Sequence, residues 1–318
     1  MQDIIDATTE KRAGHKVSDI VRAPLKDIVK KLPLRVLSEA DFKHWQTKGY
    51  VIIRNAVPPE NVEKLKALLW EFEDKDPNDV ATWYAEQRRD HAMKELNNAG
   101  MVEIYHHQLL WDNRMQQKVY DAFVDIWDME DLWVSIDRAN LNTPNKGNRK
   151  SEGFIHWDVD TTVKPLPVSV QGVLSLVHQT GDGDIGGFQC VPYLFEHFDE
   201  WVKTQPDDRH CYFPDMQGLT PTKIELHPGD LLIFNALLAH GVAPNTSDDK
   251  ARMAQYISMF PAEPENTQQR SERIHSFENC ETPARSAFPG DPRGWEKTKY
   301  ADAILSELGE KLLGRKNW

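Results

Sequence analysis

Gly153-Phe154-Ile155-His156-Trp157-Asp158 sets a histidine and an aspartate two positions apart, and Leu238-Ala239-His240-Gly241 supplies another histidine much later in the chain. In an extended strand, residues i and i+2 project from the same face, so His156 and Asp158 can grip one ion together. His240 on a facing strand completes a set of two imidazoles and one carboxylate. That set occupies one face of an octahedral Fe(II) and leaves the remaining positions open. His-x-Asp alone arises by chance in many chains, so its meaning depends on its surroundings.

Those surroundings are strands. From about residue 132 the sequence breaks into short apolar runs punctuated by Gly, Pro and Asp. Strands are expected near 132–141, 154–159, 168–177, 187–191, 222–226, 230–234 and 253–260. This spacing suits an antiparallel barrel or jelly roll better than a βαβ sheet. Upstream, Tyr50-Val51-Ile52-Ile53 reads as a strand. After Pro58-Pro59, the residues Val62, Leu65, Leu68, Leu69 and Phe72 recur at helical spacing. A second such helix runs near 115–127, on Val119, Phe123 and Trp127. A terminal helix over about 299–313 should bury Tyr300, Ile304, Leu308 and Leu312. Residues 1–36 read as a loosely held arm, 37–262 as the main domain with its β core at about 132–262, and 263–318 as an extension on the same domain.

The chain has 318 residues, 40% hydrophobic and 28% charged, enough to bury a large core without disulfides. A net charge of -12 argues against nucleic acid or an anionic membrane as partner. Cys190, Cys211 and Cys280 form no C-x-x-C pair and read as inert thiols in a reducing compartment. The acidic start, Met1-Gln2-Asp3-Ile4-Ile5-Asp6, is unlike a secretory signal. The richest apolar stretch, Asp230 to Val242, is too short to span a bilayer. The cytoplasm is the expected location; whether the chain forms a homo-oligomer is left open.

The motifs in order resemble the phytanoyl-CoA dioxygenase-like family of Fe(II)- and 2-oxoglutarate-dependent oxygenases, over roughly residues 37–262. The resemblance rests on Leu37 to Phe42 with Gly49 to Ile52, and on Gly186-Gly187-Phe188-Gln189-Cys190-Val191-Pro192. It rests also on His156-x-Asp158 and on Pro228-Gly229-Asp230-Leu231-Leu232-Ile233-Phe234, followed by His240-Gly241, Pro244-Asn245 and Arg252. It implies a mainly β protein with flanking α-helices around a double-stranded β-helix, or cupin-like jelly roll. It further implies an oxygenase that uses O₂ to oxidise a small molecule, with Fe(II) on His156, Asp158 and His240. Arg252 would hold the far carboxylate of 2-oxoglutarate, which suits a planar, permanently charged fork. Asn140 would donate a hydrogen bond to the cosubstrate. Two positions depart from the pattern: Val242 stands where a serine is common, and Pro192-Tyr193-Leu194-Phe195 replaces Pro-Gly-Ser-His.

Other readings of the same residues stay open. A cupin-like isomerase or sensor that binds metal without 2-oxoglutarate would keep His156, Asp158 and His240 but would not need Arg252. Arg252 could serve as a structural ion-pair partner, and Asn140 could satisfy backbone groups at a strand end. Gln171 alternates with apolar neighbours and either faces the barrel interior or does not. His106-His107, set among Val102, Leu109, Leu110 and Trp111, reads as packing or pocket lining rather than a second metal site.

Overall fold

The computed structural model describes residues 24–84, 100–146, 152–179, 185–284, 286 and 288–318. Ser38 opens the first helix, Glu39–Lys48: its hydroxyl accepts from the Asp41 N–H while the Asp41 carboxylate accepts from the Ser38 N–H. Gly49 ends it at φ 78°, where a Cβ would meet the Phe195 ring at 2.8 Å. The chain then enters β1 (Tyr50–Ile53) and the helix Pro59–Phe72, with proline in its first turn. Val62, Leu65, Leu68, Leu69 and Phe72 are all buried on one side of it, as their spacing predicts.

The remaining strands are β2 (Met101–Val102), β3 (Leu132–Val134), β4 (Ala139–Asn142), β5 (Val170–Ser175), β6 (Gly187–Cys190), β7 (Thr222–Lys223), β8 (Leu231–Asn235), β9 (His240–Ala243), β10 (Arg252–Tyr256) and β11 (Met259–Pro261). Six of them form one sheet in the order β1-β8-β5-β10-β4-β2, and three form a second in the order β7-β6-β9. Every pairing in both is antiparallel. A short β11-β3 pair lies apart.

Strand alternation sorts the core into two layers. Val173, Leu232, Phe234 and Ala254 cluster with Phe188 and Cys190 of the three-stranded sheet. Their neighbours Leu174, Leu231, Ile233 and Met253 instead join Leu65, Leu69, Phe123 and Ile126 from the helices outside. Each fully buried leucine, isoleucine or phenylalanine in these layers contributes about 1.5–3 kcal/mol over exposure. The sheet is thus buried on both faces, and helical residues outnumber strand residues among those described. The chain is mixed α/β with antiparallel sheets, which corrects the expectation of a mainly β protein. The flanking helices form a full outer layer rather than a decoration.

Three further expectations change. Residues 154–159 do not form a strand; only His156 bridges, antiparallel, to His240. The terminal helix is shorter, Glu307–Leu313 with Ser306 as its cap, and Ile304 is 80% exposed instead of buried. The segment before residue 37 is tied down where it is described. Buried Asp125 accepts from the backbone N–H of Arg35, Val36 and Leu37 at 2.8–2.9 Å, and Asp128 accepts from Lys31 and Leu32. Residues 1–23 of the expected arm lie outside the described residues. The C-terminal segment is fixed by Arg273, which donates to the carbonyls of Val134, Leu312 and Leu313. No helix among the described residues is long and apolar enough to cross a membrane.

Two outcomes follow from this packing. A Cβ on Gly241 would stand 1.9 Å from the Phe154 carbonyl oxygen, beside the His156–His240 bridge. Gly241→Ala should therefore push that bridge apart and lower metal stoichiometry, measured by elemental analysis, while far-ultraviolet circular dichroism stays native. His106 is buried, and burial pushes its imidazole down to about 4 although the Glu281 carbonyl opposes this. An unfolded chain takes up a proton near pH 6.5 that the folded one refuses until about pH 4. Stability should fall across that window on acidification, by on the order of 3 kcal/mol. His106→Gln should flatten that part of a thermal-melt pH profile.

Candidate metal centre

The backbone of His156 and that of His240 exchange hydrogen bonds, N–H to carbonyl, at 2.8 and 2.9 Å. This pairing lays the two rings side by side with centroids 4.7 Å apart. Both turn Nε2 to the same carboxylate: His156 lies 3.2 Å from Asp158 Oδ1, and His240 lies 3.2 Å from Asp158 Oδ2. Trp157, between the two ligands in sequence, points the opposite way into a buried cluster with Phe198 and Trp201, and its indole N–H donates to the Leu237 carbonyl at 2.9 Å. The tryptophan thus anchors the turn that presents its neighbours.

The protonation of His240 is fixed by geometry. Its Nδ1 lies 2.9 Å from the Leu238 carbonyl oxygen, which can only accept, so Nδ1 carries the proton. In the neutral ring Nε2 is then a lone pair aimed at an anionic oxygen. That contact becomes favourable with a metal ion between the two atoms, or with a second ring proton that Nε2 donates to the carboxylate. Cis ligands about 2.1 Å from one octahedral ion stand roughly 3.0 Å apart, close to the separations here. These residues therefore fit a divalent metal. Burial works to raise the Asp158 carboxyl, but His156 and His240 outweigh it and hold it well below the usual carboxylate range.

Aromatic rings surround the pair. His240 lies between Phe188, nearly parallel at 5.7 Å, and Phe234 at 4.5 Å; Phe154 covers His156 at 4.8 Å. One polar side chain from the sheet reaches the centre: Gln171 Nε2 donates to Asp158 Oδ2 at 2.7 Å. Alternation along β5 had left the direction of Gln171 undecided. The β5–β8 register settles it by placing Gln171 opposite Phe234 on the inner face.

Arg252 shares that inner face. Register pairs Ala254 with both Ser175 and Asn140, so Arg252, Asn140 and Gln171 project to the same side of the sheet. Arg252 is 3% exposed, and its Nη2 donates to Asn140 Oδ1 at 2.8 Å. Burial lowers its pKa, opposed by a hydrogen bond to Tyr256. Its Nε has no hydrogen-bond partner, and no carboxylate pairs with it among the described residues. A buried guanidinium without a carboxylate beside it has the donors and the charge to receive an anion. Asn140 points its carbonyl oxygen at Arg252 and its amide nitrogen towards Met101 Sδ at 3.8 Å. Asn140 orients the arginine by accepting from its Nη2. Tyr256 is the partner that sequence reading missed, although its spacing of four from Arg252 along a strand placed it on the same face.

His106 and His107 join no group among the described residues that could hold a metal. Of the Lys146 to Lys150 cluster only Lys146 is described, and its Nζ donates to the Asp248 carbonyl at 2.5 Å.

Residues 45–254 match the phytanoyl-CoA dioxygenase (PhyH) family. The chain is similar to Ava biosynthesis cluster protein O of Aspergillus versicolor, 30% identical over 236 residues, covering 67% of this chain and 75% of that protein. Two solved structures share the fold at low identity. Protein JW0805 of Escherichia coli is 15% identical, with a TM-score of 0.63 over 98% of this chain and 90% of its own. The GlcNAc-inducible gene 2 protein of Candida albicans is 12% identical, with a TM-score of 0.64 over 99% of this chain and 84% of its own. The span of the family match takes in both histidines, the aspartate and the arginine, and the chain belongs to the phytanoyl-CoA dioxygenase (PhyH) family of non-haem iron, 2-oxoglutarate-dependent enzymes.

Proposed function

We propose that this protein oxidises an unactivated C–H bond of a small molecule, most simply by hydroxylation, using Fe(II), 2-oxoglutarate and O₂. His156, Asp158 and His240 would hold the iron, and Arg252 the far carboxylate of 2-oxoglutarate. The six- and three-stranded sheets are read as the two walls of a double-stranded β-helix, residues 37–262 as the catalytic unit, and 263–318 as an extension of it. The observation that carries the proposal is the pairing of two features on one inner face. Two imidazoles converge on one carboxylate, and a buried arginine has no carboxylate partner among the described residues.

When bound, iron and 2-oxoglutarate supply the oxidising power drawn from O₂, with release of succinate and CO₂. The residues of the chain do the rest. The Leu238 carbonyl fixes the His240 tautomer so that Nε2 keeps its lone pair for the metal. Gln171 occupies one Asp158 oxygen and keeps the carboxylate from turning. Asn140 Oδ1 accepts from Arg252 Nη2 and orients the fork. Phe188, Phe234 and Phe154 exclude water from the imidazoles. Asp158 also fills the ligand position that halogenating relatives leave to chloride, which favours hydroxyl over chlorine as the group transferred.

The substrate class is inferred from two sides. A coenzyme A ester needs clustered cations for its phosphates, and Lys146-Gly147-Asn148-Arg149-Lys150 is the one Lys/Arg run in the sequence beside the motifs, the single feature that favours an anionic substrate. The similarity to a biosynthesis-cluster protein supports a role in secondary metabolism. A cupin-like isomerase or sensor would leave the buried charge of Arg252 unexplained.

Three measurements test this. His240→Ala should bind no stoichiometric iron by elemental analysis, and full iron in that variant would overturn the ligand set. Arg252→Ala should weaken anaerobic 2-oxoglutarate binding by about 2–5 kcal/mol in calorimetry without loss of iron. Arg252→Lys should recover only part of it, because the ammonium keeps the charge but loses the fork. A screen of small molecules should find compounds that raise succinate release and gain one oxygen by mass spectrometry. Turnover of a branched acyl-CoA, but of no free small acid, would reverse the substrate assignment.

A further inference from the structure

A second convergence of imidazole and carboxylate lies on the solvent side of the molecule. Gln179 and Leu226 form an antiparallel bridge, exchanging backbone hydrogen bonds at 2.8 and 2.9 Å. That register sets His178 opposite His227, with Glu225 two residues from His227 and on its side of the ribbon. The imidazoles of His178 and His227 stack at 4.4 Å with 14° between planes. Their Nε2 atoms lie 2.9 and 3.7 Å from the same atom, Glu225 Oε1. The plan repeats that of the first centre. There, an i, i+2 pair of histidine and carboxylate on one segment faces a histidine bridged to the first; here Glu225-x-His227 faces His178.

The ribbon beneath is held firmly. Leu226 and Gln179 are buried, Gln179 Nε2 donates to Ser175 Oγ at 2.7 Å, and the Gln179 carbonyl oxygen of the side chain accepts from the Phe188 N–H. The His227 N–H donates to Asp230 Oδ2 at 2.9 Å, and the same carboxylate pairs with Arg54. The backbone thus fixes three ligand-bearing positions, and their ligand atoms all lie within 4.8 Å of one another. Protonating both imidazoles would stack two positive rings, so a simple ion pair with Glu225 uses only one of them. A metal uses both.

We infer that His178, Glu225 and His227 form a second divalent-metal site, suited to Zn(II) and similar imidazole-preferring ions rather than to Ca(II) or Mg(II). Tetrahedral ligands about 2.0 Å from one ion stand roughly 3.3 Å apart, between the two separations found here. Three protein ligands leave the fourth position to water, and the exposure of the site makes the ion exchangeable. Bound there, it staples the segment after β5 to the turn that leads into β8. It would stabilise the native chain by mass action without touching the first centre.

The test uses the full chain, stripped of metal and dialysed to equilibrium against zinc chloride, with zinc per chain read by elemental analysis. Wild type is expected to hold two zinc ions, one of them lost in His240→Ala and the other lost in His227→Ala and in His178→Gln. Thermal unfolding provides the second reading: zinc should raise the melting temperature of His240→Ala but give that variant no rise once His227→Ala is added. A wild-type zinc count that His227→Ala and His178→Gln both leave unchanged would overturn the site. Because His240→Ala reports the first centre separately, failure of either assignment leaves the other standing.

Discussion

The antiparallel bridge between His156 and His240 is the constraint on which the rest depends. It brings two side chains far apart in sequence to within reach of one carboxylate. It is possible only because the residue after His240 has no Cβ to meet the Phe154 carbonyl. The remaining order follows from holding that bridge in place. Trp157 anchors one segment through Leu237 and the Phe198–Trp201 cluster, while β9 is carried by the three-stranded sheet through β6. A loose bridge would leave two imidazoles and a carboxylate near one another without the separations an octahedral ion demands.

Charge explains why the inner face is built of polar groups at all. Asp158 is an anion set against aromatic walls, and Arg252 is a cation buried on the same side of the sheet. Neither would be retained in an ordinary core, because taking an unpaired charge out of water is strongly unfavourable. Each is satisfied in part by neutral partners, Gln171 for the anion and Asn140 with Tyr256 for the cation. Neutral partners orient a charge without cancelling it. The inner face thus carries two imidazoles on one carboxylate at one point and a buried guanidinium at another.

The outer layer has a different task. Leu174, Leu231, Ile233 and Met253 press the helices against the back of the six-stranded sheet, so its curvature is fixed from behind. Asp125 adds a point restraint by collecting three backbone N–H groups of the segment before the first helix. Asp230 does the same at the start of β8, where it holds Asn55, His227 and Arg54 together. Buried carboxylates serve as backbone clamps at both places, Asp125 from within the helix Gln117–Trp127 and Asp230 at the entry to β8.

By itself the sequence determined what depends on local geometry and chemical type. The helix Pro59–Phe72 followed from its apolar spacing, the strand Tyr50–Ile53 from its β-branched run, and the candidate metal trio from the residue types His156-x-Asp158 and His240. The tertiary structure decided what depends on register and on partners distant in the chain. Whether Gln171 faces inward is set by its pairing with Phe234. The role of Asn140 is set by the arginine whose Nη2 it accepts from, two positions along the neighbouring strand from its register partner, and the exposure of Ile304 by where the last helix begins. His178 and His227 carried no signal in sequence because only the Gln179–Leu226 bridge brings them together. The reason is common to all of these. A one-residue change of register reverses the face of every side chain on a strand, and no local pattern fixes register when both faces of a sheet are apolar.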